Sequence, residues 1–383
     1  MKVMHLADLH LGKIVLEQSM IEDQKYILNQ IIDIIKEKQV DIVLLAGDVY
    51  DKGIPSIEAV HLFSNFLTRL YRLRIKVFVI SGNHDSKERL SFGNALFIDN
   101  DVYIESIFKG KLKFVSLKDE YGSFNIYMLP FVKPADVRVF YPDCKIESYD
   151  DAVRCIIEDT KVDDKERNII MVHQFVTASG VDIIRSDSEA ISLGGIDNID
   201  VSLFEQFDYV AMGHIHGAQK LLRDTVRYAG SPLKYSFSEV HQRKSVPIIE
   251  FKEKGNISIE LVDLNPIRDM RVIRGPLERL LDHDIVQEGN VNDYISAIIT
   301  EPDYVMDAIG KLRRVYPNLL RLEYQNTRTM KHTTENDDKC HDIEKKSELD
   351  LFSEFYQKQN YIELDSDKQK ILMKIIRDVK ENQ

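Results

Sequence analysis

Aspartate, asparagine and histidine recur where short apolar runs of this chain end. Lys2–His10 (KVMHLADLH) closes on Asp8 and His10, Asp41–Asp48 (DIVLLAGD) on Asp48, and Lys76–His84 (KVFVISGNH) on Asn83 and His84. Asn168–His173 (NIIMVH) closes on His173, and Asp208–His216 (DYVAMGHIH) on His214 and His216. Carboxylate, amide and imidazole together form a donor set of borderline softness. It suits Mn²⁺, Fe²⁺ or Zn²⁺ better than Mg²⁺ or Ca²⁺, which prefer oxygen shells. Asp48 has two oxygens and can bridge two ions, and the size of the set calls for a pair roughly 3.5–4 Å apart. Such a pair clamps a phosphate, acidifies a water and offsets the charge that builds up in an in-line displacement. Singly, each residue has a plainer reading: Asp8 or Asp48 as a cap or turn residue, Asn83 as a turn former, His173 as a satisfied core histidine. The joint pattern is what points to a metal site. Asp51 and Asp85 read as residues that support ligands or shape turns, and His5, inside a strand, as a core residue.

The elements that must position these donors follow from the same runs. Stretches of Val, Ile, Leu and Met this short read as strands buried on both faces, and in open α/β sheets ligands bind beyond the carboxyl ends of the strands. The first half alternates strand and helix: strands at Lys2–Ala7, Asp41–Ala46 and Ile75–Ile80, helices near Met20–Lys38 and Ser56–Arg72. The first helix carries Ile27, Ile31, Ile34 and Ile35 at helical spacing, the second Val60, Phe63, Phe66, Leu67 and Leu70. After Phe97, short pieces at Val102–Ile104, Lys113–Val115 and Asn125–Leu129 suggest a more antiparallel second sheet. Tyr149–Asp159 reads as a helix, with further strands at Asn168–Val172, Asp208–Met212, Val226–Ala229, Val246–Phe251 and Ser258–Val262. The fold class is therefore α/β, two sheets layered between helices in an αββα sandwich. Asn265-Pro266 marks a boundary. The expected organisation is a main domain at 1–264, a small α+β module at 265–326, a polar flexible linker at 327–346 and a helical tail at 347–383.

The chain has 383 residues, 44% apolar and 30% charged, as expected of a globular protein. No stretch approaches the roughly 20 apolar residues of a membrane span, and the N-terminus enters a strand at once without a signal-peptide pattern. Cys144, Cys155 and Cys340 lack C-x-x-C spacing and fit a reducing cytoplasm. A net charge of −12 argues against a general polyanion-coating protein, although bound cations and a local basic groove can offset it. No G-x-S-x-G, G-x-x-x-x-G-K-[ST] or strand-following G-x-G-x-x-G occurs, which argues against a serine hydrolase, a P-loop ATPase and a dinucleotide enzyme.

In the order D-x-H, GD, GNHD, H, GHxH, the motifs resemble the calcineurin-like metallophosphoesterase superfamily. Further stretches are similar to its SbcD family of DNA-repair nucleases: ADLHLGK (7–13), GDVYDKGIPS (47–56), GNHDSKERLSFG (82–93), FDYVAMGHIHGAQ (207–219), YAGSPLKYSFSE (228–239) and LFSEFY (351–356). The resemblance spans essentially the whole chain. It implies one ion held by Asp8, His10, Asp48 and His216 and another held by Asp48, Asn83, His173 and His214. His84 would contact the scissile phosphate as general acid. It further implies Mn²⁺ as cofactor, 3′→5′ double-strand exonuclease and single-strand endonuclease activity on DNA, and a homodimer joined through Ser56–Arg72 and Ser86–Phe97. An SbcC-type SMC-like ATPase would be the partner, bound by the tail, and residues 265–326 would cap the DNA. Lys87 departs from the family pattern, which commonly has proline there. Lys52, Lys87 and Arg89 lie close enough in sequence to meet phosphates. The competing enzyme reading is another calcineurin-like phosphoesterase, a protein phosphatase or cyclic-nucleotide phosphodiesterase. GDVYDKG is similar to the phosphatase GDxVDRG, but GNHD stands here instead of GNHE.

Overall fold

The computed structural model describes residues 1–189, 197–301, 305–325, 349, 352–353, 356 and 365–381. They fall into two compact units, Met1–Met270 and Arg271–Gln383.

The first unit is built on two six-stranded sheets. One runs in the order Ile257–Asp263, Ser245–Phe251, Lys2–Leu6, Ile42–Ala46, Lys76–Ile80, Val102–Glu105. Its last four strands are parallel, and the hairpin of the first two adds antiparallel. The other runs Gln219–Leu221, Arg223–Tyr228, Tyr209–Met212, Arg167–Val172, Gly122–Leu129, Lys113–Asp119. Its four central strands are parallel and only its two edges are antiparallel. Two expectations are corrected here. Val102–Glu105 completes the first sheet and takes no part in the second, and the second sheet is parallel at its centre. The antiparallel texture came from the edge strand Lys113–Asp119, which alternates between exposed and half-buried residues because water reaches one face. The strands behind it, such as Arg167–Val172, are buried throughout, as parallel strands are.

The sheets face each other across a core in which Val3, Leu44 and Phe78 of one meet Ile126, Met171 and Tyr209 of the other. Each such side chain contributes roughly 1.5–3 kcal/mol by leaving water. Helix Tyr149–Asp159 lays Val153, Ile156 and Ile157 on the outer face of the second sheet. Helix Ile21–Lys38 buries Ile27, Ile31, Ile34 and Ile35 as its spacing requires. Helix Ile57–Arg72 starts at Ser56, whose hydroxyl accepts the Ala59 N–H at 3.2 Å. It buries Phe63, Phe66 and Leu70, but Leu67 is half-buried and Val60 exposed. That outer side of the helix lines an apolar groove with Tyr71, Phe92 and Phe97.

In the second unit, the strand Met270–Gly275, which starts at the boundary, forms a sheet with Tyr294–Ile299 and Leu319–Tyr324, the last two parallel. Ile295, Ala297, Ile299, Leu312 and Tyr316 make its core. A helix follows at Ser366–Glu381, with Ile371, Met373 and Ile375 exposed. The linker expected at 327–346, and most of the expected helix at 348–357, lie outside the described residues. Among the described residues, no helix is long and apolar enough to cross a membrane.

Candidate metal centre

Every apolar run named above delivers its donors to the same edge of the sandwich. Asp8 and His10 follow the first strand in left-handed backbone (φ 53° and 44°), and Asp48 follows the second (φ 48°). Backbone bonds tie these loops together: the Asp8 N–H donates to Gly47 O at 3.1 Å and the His10 N–H to Asp48 O at 3.0 Å. The His214 N–H donates to both Asp8 carboxylate oxygens, at 3.0 and 3.1 Å. The His84 N–H donates to Asp48 Oδ1 at 2.9 Å. Gly82 is required where these loops meet, because a Cβ there would lie 2.0 Å from Asp48 Oδ1.

Asp48 sits between two groups of donors. On one side, His10 Nε2 is 3.7 Å from Asp48 Oδ2 and 3.0 Å from His216 Nε2. On the other, His173 Nε2 is 3.3 Å from Asp48 Oδ2 and 3.1 Å from Asn83 Oδ1, which also meets His214 Nδ1 at 3.0 Å. Ligand atoms of Asp8, His10 and His216, of Asp8, Asp48 and His173, and of His10, Asp48 and His84 each lie within 4.8 Å of one another. All the predicted donors are thus brought to one place, and Asp8, His10, Asp48, His173 and His216 are buried.

Proton bookkeeping tests whether this set fits cations. His173 donates from Nδ1 to the Ala46 carbonyl at 2.7 Å, so in the neutral ring a bare Nε2 faces the Asn83 and Asp48 oxygens. His10 and His216 point Nε2 at Nε2, and His10 Nδ1 is buried without a hydrogen-bond partner among the described residues. Acceptors facing acceptors in a dry site need protons or cations between them. The charge states agree. Burial would raise the Asp48 pKa, yet the His173, His10 and His84 imidazoles hold it well below the usual carboxylate range. Burial opposes charge on His173, but the Asp48 carboxylate outweighs it and lifts the imidazole to about 9. Burial pushes His10 well down, and burial with the neighbouring His173 takes His214 to about 3. Without ions, a protonated His173 balances Asp48. A divalent cation would take over that role and release the proton. The residues fit divalent cations of borderline softness.

His84 is half-buried, beside His10 and Asp48. Its Nδ1 lies 2.8 Å from the Asp51 carbonyl, and its ring meets His10 edge to face at 4.8 Å. Asp51 also pairs with Lys13 at 2.8 Å. Asp85 accepts backbone N–H bonds from Val49, Tyr50 and Gly82 and so ties two ligand loops together. His5 is a core residue bonded to the Tyr209 hydroxyl. Lys87 pairs with Asp136 at 2.6 Å, while Lys52 and Arg89 are exposed.

Several contributors carry no local sequence signature and escape a reading of the chain alone. Gln24 donates to His10 O at 2.7 Å and accepts the Gly12 N–H, holding the 9–12 loop from a helix. Ser188, Glu189, Glu239 and Lys244 gather behind His216. The one available signal was YAGSPLKYSFSE, which ends on Glu239.

Residues 1–218 match the family model described as calcineurin-like phosphoesterase. Residues 266–360 match one described as type 5 capsule protein repressor C-terminal domain. The chain is 32% identical over 392 aligned residues to the SbcD subunit of nuclease SbcCD from Staphylococcus epidermidis, covering 99% of both chains. Two solved structures are similar at 10% identity, a dimetal phosphatase from Danio rerio (TM-score 0.42; 69% of this chain, 96% of that one) and the protein TT1561 of Thermus thermophilus (0.41; 69% and 99%).

Proposed function

This chain belongs to the calcineurin-like phosphoesterases and, within them, to the SbcD family of SbcCD nuclease subunits, and on that premise we propose that it is a two-metal DNA phosphodiesterase. The observation that carries the reading is Asp48, a buried anion with Oδ2 3.7 Å from His10 Nε2 on one side and 3.3 Å from His173 Nε2 on the other. In this reading Asp8, His10, Asp48 and His216 hold one ion and Asp48, Asn83, His173 and His214 the other, with Mn²⁺ as the metal. Bound there, such ions supply a nucleophile at neutral pH and stabilise charge on the phosphate.

The chain's own residues do the rest. Asp8 and Asp48 position the donors through backbone N–H bonds from His214 and His84. His84 acts as general acid: with Nδ1 committed to the Asp51 carbonyl, its Nε2 delivers a proton to the leaving oxygen as the P–O bond breaks. A chain of net charge −12 can accept a polyanion at this edge because the cations reverse the local sign.

The wider assembly follows the family. The activity is 3′→5′ double-strand exonuclease and single-strand endonuclease. Residues 265–326 cap the DNA, and the tail at 347–383 binds an SbcC-type SMC-like ATPase through a linker at 327–346. The exposed Ile371, Met373 and Ile375 support the tail's role. The groove lined by Val60, Tyr71, Phe92 and Phe97 supports a homodimer.

End-labelled duplex DNA with Mn²⁺ tests the activity, beside a phosphomonoester and Asp48→Ala. DNA should shorten with the wild type only, and Asp48→Ala should lose both metal and cleavage. Turnover of the phosphomonoester with intact DNA would replace this reading by that of a phosphatase.

A further inference from the structure

A buried polar chain runs away from the metal centre behind His216. Lys244 is almost wholly enclosed and donates to Glu239 Oε2 at 2.6 Å, Gln242 Oε1 at 2.8 Å, and Ser231 Oγ and His216 O at 2.9 Å. Glu239 is fully buried, and its Oε1 lies 2.6 Å from Ser188 Oγ. The same Ser188 oxygen lies 2.6 Å from His216 Nδ1. The far nitrogen of that ring, Nε2, faces His10 Nε2 at 3.0 Å.

The donor and acceptor inventory fixes where the protons sit. Beside the Lys244 ammonium, Glu239 is a carboxylate and can only accept. The Ser188 hydroxyl must therefore donate to Glu239, which leaves its lone pair to accept from His216 Nδ1–H. A neutral ring protonated at Nδ1 is bare at Nε2, the form that can bind a cation. Without the carboxylate, the Ser188 hydroxyl would be free to turn and donate to Nδ1. That would favour the tautomer with its proton on Nε2, where a cation has to bind.

We propose that Ser188 and Glu239 are positioning residues that lock His216 in its metal-binding tautomer and so set the cation affinity of the Asp8, His10 and His216 half of the centre. This inference rests on the metal-centre reading above. It also gives a role to the YAGSPLKYSFSE stretch, since Ser231 and Glu239 are the residues of it that anchor Lys244.

The test is titration of the full-length, metal-free protein with Mn²⁺ alone, followed by the electron paramagnetic resonance signal of free Mn²⁺ and by thermal unfolding before metal is added. Wild type should bind two equivalents. Glu239→Gln and Ser188→Ala should each weaken one equivalent by about 10–100-fold, the usual effect of losing a ligand's hydrogen-bond partner, and leave the other unchanged. Ser188→Thr, which keeps the hydroxyl, should restore wild-type binding. Ser188 lies on a loop and is half-buried, so Ser188→Ala should unfold within a few degrees of wild type even if Glu239→Gln is too unstable to purify. Two unchanged equivalents in Ser188→Ala would overturn the inference, as would equal weakening of both. A wild type that takes up no Mn²⁺ would overturn the metal-centre reading itself, and this inference with it.

Discussion

Truncating His84 separates two roles that its position allows, since its ring belongs to one of the ligand-atom clusters and is only half-buried. Its backbone N–H holds Asp48 Oδ1 and survives any side-chain change. His84→Ala removes one hydrogen bond to the Asp51 carbonyl, worth about 0.5–1.5 kcal/mol. It also removes an edge-to-face contact with His10, worth about 0.5–1.5 kcal/mol. The stability cost is thus about 1–3 kcal/mol. If His84 is the general acid, the rate should fall by about 10²–10⁴, which at 1.36 kcal/mol per decade is roughly 3–5 kcal/mol of barrier. The assay is single-turnover cleavage of end-labelled duplex at saturating Mn²⁺, with bound metal measured on the same sample by elemental analysis. The expected result is two bound ions and slow cleavage. Loss of one or both ions would make His84 a ligand, and a rate within tenfold of wild type would remove it from proton transfer.

Three further outcomes test the frame around the site. Gly82→Ala should abolish Mn²⁺ binding, since its Cβ would collide with Asp48 Oδ1 and with the Asp48 N at 2.4 Å; a variant titrating like wild type would refute the close approach of these loops. Arg167 is buried and donates to Gly122 O at 2.7 Å, to Lys252 O at 3.0 Å and to both Asp119 oxygens, so Arg167→Met should cost about 3–5 kcal/mol by stranding them. The same pair predicts a pH dependence: Asp119 is held down to about 2, chiefly by its hydrogen bond to Arg167. A depressed carboxylate stabilises the fold above its unfolded pKa of about 4, so roughly 2 kcal/mol should be lost as pH falls from about 4 towards 2. Guanidinium unfolding in that window should show a slope for wild type and a flatter one for Arg167→Met.

The donor residues were findable because chemistry and periodicity coincide at the strand ends. A parallel strand buried on both faces is a short unbroken apolar run, and the first polar residue after it marks the sheet edge. Asp8, Asp48 and His173 all occupy that place, and Asn83 follows two residues after Ser81, the first polar residue of its loop. Sheet membership was less legible. Val102–Glu105 and Lys113–Asp119 are both short and lie close in sequence, and only long-range pairing assigns the first to Lys76–Ile80 and the second to Gly122–Leu129. Of the residues behind the ligands, Asp85 was expected as a supporting or turn residue and does tie two ligand loops, but others were not legible. Gln24 reaches His10 from inside a helix, and Lys244 reaches His216 from the start of the strand pair that borders Lys2–Leu6. Neither has a local pattern, because each is defined by what packs against it in three dimensions.

Backbone strain is concentrated where the donors leave the sheets. Asp8, His10, Asp48 and His214 all have positive φ, and the last reaches 91°. Left-handed backbone costs a non-glycine residue about 1–2 kcal/mol. The other non-glycine examples include Gln39, which caps a helix, and Leu16 and Glu17, which turn a two-residue hairpin. Those at the centre are held by cross-ties between different loops: Asp8 N–H to Gly47 O, His10 N–H to Asp48 O, His214 N–H to the Asp8 carboxylate. Such strain persists only where the surroundings over-determine the geometry. Here the surroundings are two parallel sheet centres packed on a common core, which fix the strand ends before any ion arrives. The cross-ties use backbone N–H groups, so they leave the imidazole nitrogens and most carboxylate lone pairs free to converge. The fold thus preorganises a cluster of acceptors whose mutual repulsion bound divalent cations would relieve.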